Sequence, residues 1–160
     1  MKALVIYDTV YGNTKEVAET IAVSLSKSIA AEARYVLHVS LNDLVASDII
    51  IIGSPTHYWR ETKKTRDFLL SLSRLKLRPM AATYCTRMQG SLAGSAAAKL
   101  SNLARKIGLK TLGKPLNIFV ESFKGPLKPG EKQTAERYAE FIASDLTQMS
   151  SDKNTDTKSE

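Results

Sequence analysis

The sequence predicts an α/β fold, a three-layer α/β/α sandwich in which helices cover both faces of a five-stranded parallel sheet. Two short runs, 4–6 and 49–52, are apolar throughout, which is typical of strands buried on both faces. Between them, Val17, Ile21, Leu25 and Ile29 recur every four residues and predict a helix with one apolar face. Strand and helix signals alternate along the chain, which is the pattern of parallel strands joined by helices.

The remaining strands are predicted from weaker patterns. Residues 33–39 alternate only in part, which indicates an edge strand with one wetter face. Two further strands are predicted at 79–85 and 116–121. The Gly-Ser-Pro sequence at 53–55 punctuates the end of the strand at 49–52.

Three later helices are predicted at 61–75, 96–107 and 131–148, with a short helical turn at 41–44. Gly108 directly follows the second of these helices and is typical of a helix end. Each helix has an apolar stripe: Phe68, Leu69, Leu72 and Leu75 in the first, Ala97, Leu100, Leu103, Ala104 and Ile107 in the second, and Tyr138, Phe141, Ile142 and Leu146 in the third.

The length and composition predict one domain at 1–149 and a disordered polar tail at 150–160. A chain of 160 residues with 43% hydrophobic residues can bury a full core. The last eleven residues contain no apolar side chain, so they cannot contribute to that core. No apolar run approaches a membrane span, Asp8 interrupts any signal-peptide pattern, and a lone cysteine permits no internal disulfide. We therefore expect a cytoplasmic protein.

The chain is basic, with a formal net charge of +7. The basic run at 60–78 has two interpretations: a solvated helix face, or a docking surface for an acidic partner protein. Nucleic acid is disfavoured because the basic residues lack interleaved aromatic side chains and a known binding motif. Two histidines and one cysteine offer no metal-ligand cluster, so no metal site is predicted.

The most informative stretch is 9–14, where the first strand leads at once into a helix. Such a turn directs free backbone N–H groups and the positive end of a helix dipole at one spot, which suits a phosphate. Gly12 allows close approach of the backbone, and Thr9 and Thr14 can add hydroxyl donors. The alternative is a plain helix cap by Asn13 or Thr14 that needs no ligand.

Four stretches together resemble the flavodoxin family in its short-chain form. The first is Thr9-Val10-Tyr11-Gly12-Asn13-Thr14, which is similar to the family's phosphate loop except that Tyr11 stands where many members have threonine. The others are the strand and loop at 49–59, the stretch at 86–91 with the small residues at 94–97, and residues 120–131. No long insertion splits the fifth strand, which is the basis of the short-chain assignment.

The resemblance implies non-covalently bound FMN and the sheet order 2-1-3-4-5. It implies that the phosphate is held by Thr9, Val10, Tyr11, Gly12, Asn13 and Thr14. It further implies that Pro55, Thr56, His57, Tyr58 and Trp59 line one side of the flavin ring, with either Tyr58 or Trp59 stacking on it. Thr86, Arg87, Met88, Gln89 and Gly90 would then lie on the other side and at the pyrimidine edge.

The resemblance also implies an electron carrier between redox partner proteins, with no catalytic residues of its own, because the cofactor performs the chemistry. Two alternatives stay open: an NAD(P)H:quinone or flavin reductase, and a non-redox binding module that has lost FMN. The resemblance further implies a peptide flip within 56–59 on flavin reduction. This stretch has no glycine, and other residues resist positive φ, so we expect such a flip to be costly.

Overall fold

The computed structural model describes residues 1–90, 92 and 94–156, which alternate between strands and helices. In chain order the elements are β1 (Lys2–Tyr7), α1 (Asn13–Leu25), β2 (Ala30–Tyr35), α2 (Leu41–Val45), β3 (Ile49–Pro55), α3 (Lys63–Arg74), β4 (Met80–Met88), α4 (Ala96–Lys106), β5 (Leu116–Val120) and α5 (Glu131–Asp156). All strand pairs are parallel, in the order β2-β1-β3-β4-β5. The predicted fold class and strand order are confirmed.

Two hydrophobic layers form because alternate side chains of each strand point to opposite faces of the sheet. Ile49 and Ile51 of β3 pack with the apolar faces of α1 and α5. Ile50 and Ile52 pack on the other side, with the apolar residues of α2, α3 and α4. All four isoleucines are fully buried, and each contributes about 1.5–3 kcal/mol by leaving water. This central strand therefore anchors both layers.

Three boundaries differ from the sequence-based expectation. β2 covers Ala30–Tyr35 rather than 33–39, and a 3₁₀ turn at Val36–His38 follows it. α1 ends at Leu25, so Ile29 lies beyond it, although Ile29 is still buried in the same core. β4 runs on to Met88 rather than ending at 85, because its last residues pair in register with β5. This pairing depends on a distant strand and has no local signal.

The last helix also reaches further than its apolar stripe. α5 continues through residues 150–156, which the composition assigns to a disordered tail, and residues 157–160 lie outside the described part of the chain. An existing helix extends at little cost once nucleated, even without a core to pack against. The hydroxyl of Ser150 donates to the Leu146 carbonyl at 3.1 Å, which adds a local contact in this polar turn. The domain boundary at 149 stays a prediction.

No helix in the described ranges combines the length and the apolar character that crossing a bilayer requires.

Gly53 of β3 lies against the ring of Tyr84 on the neighbouring strand. A Cβ atom on Gly53 would fall 1.8 Å from the Tyr84 Cζ atom, and the ring is fully buried. The Tyr84 hydroxyl donates to the Thr14 carbonyl oxygen at 3.2 Å, so the ring also braces the first turn of α1. Burial raises the pKa of this phenol well above its ordinary value, which keeps it protonated as a donor.

We expect Gly53→Ala to lower the free energy of unfolding by about 3 kcal/mol, because the added methyl must displace a packed aromatic ring. Urea denaturation followed by circular dichroism measures this. Gly130→Ala is the matched control. It has open space around the new methyl and bears only the cost of positive φ, about 1 kcal/mol. Equal losses in the two variants would contradict the proposed packing of Gly53 on Tyr84.

Candidate functional site

An open cleft lies at the carboxyl ends of β1, β3, β4 and β5, where parallel sheets commonly bind ligands. None of the residues that line the cleft is acidic. The lining residues are Thr9, Val10, Tyr11, Asn13, Thr14, Pro55, Thr56, His57, Thr86, Arg87, Met88, Val120 and Phe123. The three loops singled out from the sequence therefore meet at one place.

The amino terminus of α1 opens into this cleft without a side-chain cap among the described residues. Its first-turn N–H groups have no acceptor within the helix. Ser40, Thr62 and Ser95, in contrast, cap α2, α3 and α4. The N-cap residue of α1 is Gly12, with φ of 92° and no atom within 4 Å of where a Cβ would lie. The plain helix cap by Asn13 or Thr14 is thus not what forms.

The polar side chains of the 9–14 loop have separate tasks. The Gly12 N–H donates to the Thr9 hydroxyl oxygen at 3.0 Å, which leaves the hydroxyl hydrogen of Thr9 available. The Asn13 amide donates to the Lys124 carbonyl at 3.1 Å and so joins this loop to the one after β5. The hydroxyl oxygens of Thr14 and Thr86 lie 2.7 Å apart in the buried floor. Only some of the hydroxyl and amide groups of the 9–14 loop are therefore free to face the cleft.

Residues 57–60 form a tight hairpin at the end of β3. The backbone of His57 and Arg60 exchanges two hydrogen bonds, of 2.9 and 3.0 Å. The two central residues have positive φ, 46° at Tyr58 and 66° at Trp59, as a type I′ turn demands. Each costs about 1–2 kcal/mol for a residue other than glycine. The loop thus already adopts positive φ without a glycine.

The hairpin is clamped against the start of α4. The N–H of Ala96 donates to the Thr56 hydroxyl at 3.2 Å. Gly94 packs on the hairpin backbone so closely that a Cβ there would lie 2.6 Å from the Trp59 carbonyl oxygen. Tyr58 is 87% exposed and Trp59 59% exposed at the hairpin tip, outside the cleft lining. Stacking of either ring on a ligand stays a prediction.

Phe123, together with Val120, lines the cleft but was missed by the sequence analysis. Its ring meets the rings of Tyr11 and His57 edge-on, with centroids 5.6 and 5.5 Å apart. Three loops are thereby joined by aromatic contacts. The available signal for Val120 was its position at the end of the fifth strand, which ends at the same sheet edge as β4. Phe123 lies in the loop after that strand and had no such signal.

Hydrogen bonds from Arg87 and Lys128 hold the residues directly after β4. The Arg87 guanidinium donates to the Gly90 carbonyl at 2.6 Å and lies 5.9 Å from the Phe119 ring centroid. The Lys128 ammonium donates to the Gln89 side-chain oxygen at 2.7 Å. Gln89 and Gly90 do not line the cleft, and Thr86 to Met88 are strand rather than loop residues.

Asp8, buried at the end of β1, contributes to the local charge. It accepts a hydrogen bond from the Thr9 N–H at 2.9 Å and lies 3.7 Å from the Lys64 ammonium. A hydrogen bond to the Tyr35 hydroxyl, followed by the charge of Asp8, raises the pKa of Lys64. Asp8 therefore serves the fold beside the cleft. In the described part of the chain, no group of three or more histidine, cysteine or acidic side chains could hold a metal ion.

Comparison with known proteins agrees with this geometry. A family model described as a flavodoxin domain matches residues 4–125. The chain is similar to a flavodoxin from the domain Archaea at 23% identity and a TM-score of 0.79, over 92% of this chain and 99% of that one.

Two other solved structures are similar in fold. A flavodoxin, WrbA-like protein from Agrobacterium tumefaciens has 19% identity and a TM-score of 0.71, over 92% of this chain and 98% of that one. Rubredoxin oxygen:oxidoreductase from Desulfovibrio gigas has 15% identity and a TM-score of 0.77, over 91% of this chain and 36% of that one. None of the curated proteins matches the chain.

We expect Gly94→Ala to displace the 57–60 hairpin, because the added methyl would overlap the Trp59 backbone. The emission of Trp59 should shift to longer wavelength and become more accessible to acrylamide quenching. Gly90→Ala is the control on the same segment, with positive φ of 138° and no atom near the new methyl. An unchanged spectrum in Gly94→Ala, or the same change in both variants, would contradict the clamp.

Proposed function

The chain belongs to the flavodoxin family, and we propose that it is an electron carrier that binds FMN non-covalently and passes electrons between redox partner proteins. The main support for this proposal is the uncapped amino terminus of α1, which opens into the cleft with Gly12 at positive φ. Backbone donors without acceptors and a helix dipole suit a phosphate dianion. No acidic side chain among the lining residues opposes that charge.

The donor set fits the phosphate of FMN. The first-turn N–H groups of α1 and the spare hydroxyl hydrogen of Thr9 would hold it, since the Thr9 oxygen already accepts from the Gly12 N–H. The Asn13 side chain would act indirectly, by fixing the loop to the Lys124 carbonyl. The sequence-based expectation gave every residue in 9–14 a direct contact with the phosphate, whereas this proposal gives the Asn13 side chain an indirect role.

The cleft walls would then hold the flavin ring. Pro55, Thr56 and His57 form one wall, and Thr86 to Met88 form the other. When bound, FMN supplies electron transfer, and the chain's own residues bind it, orient it and limit its contact with water. Because Thr56, Thr14 and Thr86 are tied to helices or strands by hydrogen bonds, the walls are held in place before any ligand binds.

We expect Thr9→Val to raise the dissociation constant of FMN at least tenfold, because it removes a phosphate donor and the acceptor that shapes the Gly12 turn. Binding of riboflavin, which lacks the phosphate, should change far less. Quenching of flavin fluorescence on titration measures both. Thr20→Val, the same change on α1 and outside the cleft, is the control. An equal loss for FMN and riboflavin would contradict the phosphate assignment, and no flavin binding by the unaltered protein would favour the binding-module alternative.

We expect NADPH or NADH alone to leave the visible absorbance of the FMN-loaded protein unchanged over minutes, because an electron carrier depends on a partner reductase. Dithionite should bleach the same sample at once, which serves as the positive control. Anaerobic absorbance at the flavin bands measures both reactions. Rapid bleaching by either nicotinamide would overturn the carrier proposal in favour of the reductase alternative.

A further inference from the structure

The two helix layers of the molecule differ in charge. Segments 60–78 and 96–106, which contain α3 and α4, hold ten lysines and arginines against two acids. Segments 13–25 and 131–156, which form α1 and α5, hold four lysines and arginines against eight acids. The two layers lie on opposite faces of the sheet. The positive net charge is therefore concentrated on the α3–α4 side.

A groove of about 260 Å³ runs between α3 and α4 on this side. Lys99 and Lys106 of α4 line it at a spacing of seven residues, so both lie on one helix face. Neither ammonium pairs with an acid in the described part of the chain. Arg66 of α3 and Arg60 complete the basic lining. These positive groups thus face open space.

Glu61 at the base of the groove orients its two arginines. One carboxylate oxygen lies 3.4 Å from the Arg60 guanidinium and 3.7 Å from that of Arg66. Its other oxygen is buried without a partner among the described residues. The groove has one buried carboxylate against four cationic side chains, two arginines and two lysines. Glu61 is therefore a positioning residue, and the groove keeps a positive net charge.

We propose that this groove binds a carboxylate-rich segment of a redox partner protein, an inference that rests on the proposed electron-carrier function. Arginine presents a planar fork that matches a carboxylate, and two such forks line the groove. A concave site between two helices accepts a chain segment, whereas a bilayer surface is too flat to enter it. The lining contains no aromatic side chain on which nucleic-acid bases could stack.

The groove is joined to the FMN cleft through Arg60. This residue closes the hairpin that begins at His57, a cleft residue, and its side chain lines the groove. A segment bound there lies beside the exposed Trp59 tip. Docking and electron exchange would therefore use adjacent surfaces, and charge attraction would speed the encounter.

The test uses the FMN-loaded chain of 160 residues and a fluorescein-labelled ten-residue peptide of alternating glutamate and alanine. Fluorescence anisotropy at low salt should detect binding, and the glutamine version of the peptide should bind at least tenfold more weakly. The double variant Arg66→Gln/Lys99→Gln should raise the dissociation constant of the glutamate peptide at least fivefold. Lys76→Gln/Arg78→Gln, with the same net charge but outside the groove, should change it less than twofold.

Each other result overturns the proposal. Equal effects of the two double variants would mean attraction to net charge alone. Tighter binding of duplex DNA or of vesicles containing an anionic phospholipid, with the same dependence on Arg66 and Lys99, would assign the groove to nucleic acid or membrane. Visible absorbance reports whether each variant retains FMN, which separates this test from that of the proposed function. Failure of the glutamate peptide to bind while FMN is retained counts against the groove alone.

Discussion

The contact between Gly53 and the Tyr84 ring is the constraint on which the geometry of the cleft depends. The ring fills the space that a side chain at Gly53 would need, and its hydroxyl holds the backbone of Thr14. Two strands and the first turn of α1 are thereby fixed by one buried side chain. The 9–14 loop is positioned from beneath by this contact, while the amino terminus of α1 stays open to the cleft.

Bridges between loops continue this support around the cleft. Asn13 donates to the loop after β5, Thr56 accepts from the Ala96 N–H at the start of α4, and Lys128 donates to Gln89. Each bond joins segments that are distant in sequence, so the loops cannot move independently without breaking one. A site built in this way loses little conformational entropy when a ligand binds, and its affinity benefits accordingly. The polar residues of the site divide between those that hold the walls and those that face the open cleft.

The layers, the strand order and the meeting of the three loops at one cleft could be predicted from the sequence, because they depend on apolar periodicity and on motifs in a fixed order. The extension of β4 to Met88 could not, since it follows from pairing with β5. Positive φ at Tyr58 and Trp59 could not be predicted from the local sequence, because neither residue type favours it. Hydrogen bonds across the hairpin and the close approach of Gly94 impose it. Phe123 entered the cleft through the course of a loop, which composition does not specify.

The opposite charges of the two helix layers have a consequence for concentrated solutions of the protein itself. The basic α3–α4 layer of one copy attracts the acidic α1–α5 layer of another, and this head-to-tail pairing leaves a free layer at each end. Such contacts do not close into a ring unless the geometry happens to bring the ends together, so they favour open chains of molecules. At physiological ionic strength, screening over about 8 Å weakens this attraction. Salt therefore weakens two opposed forces between copies, the attraction between unlike layers and the repulsion between molecules of the same net charge.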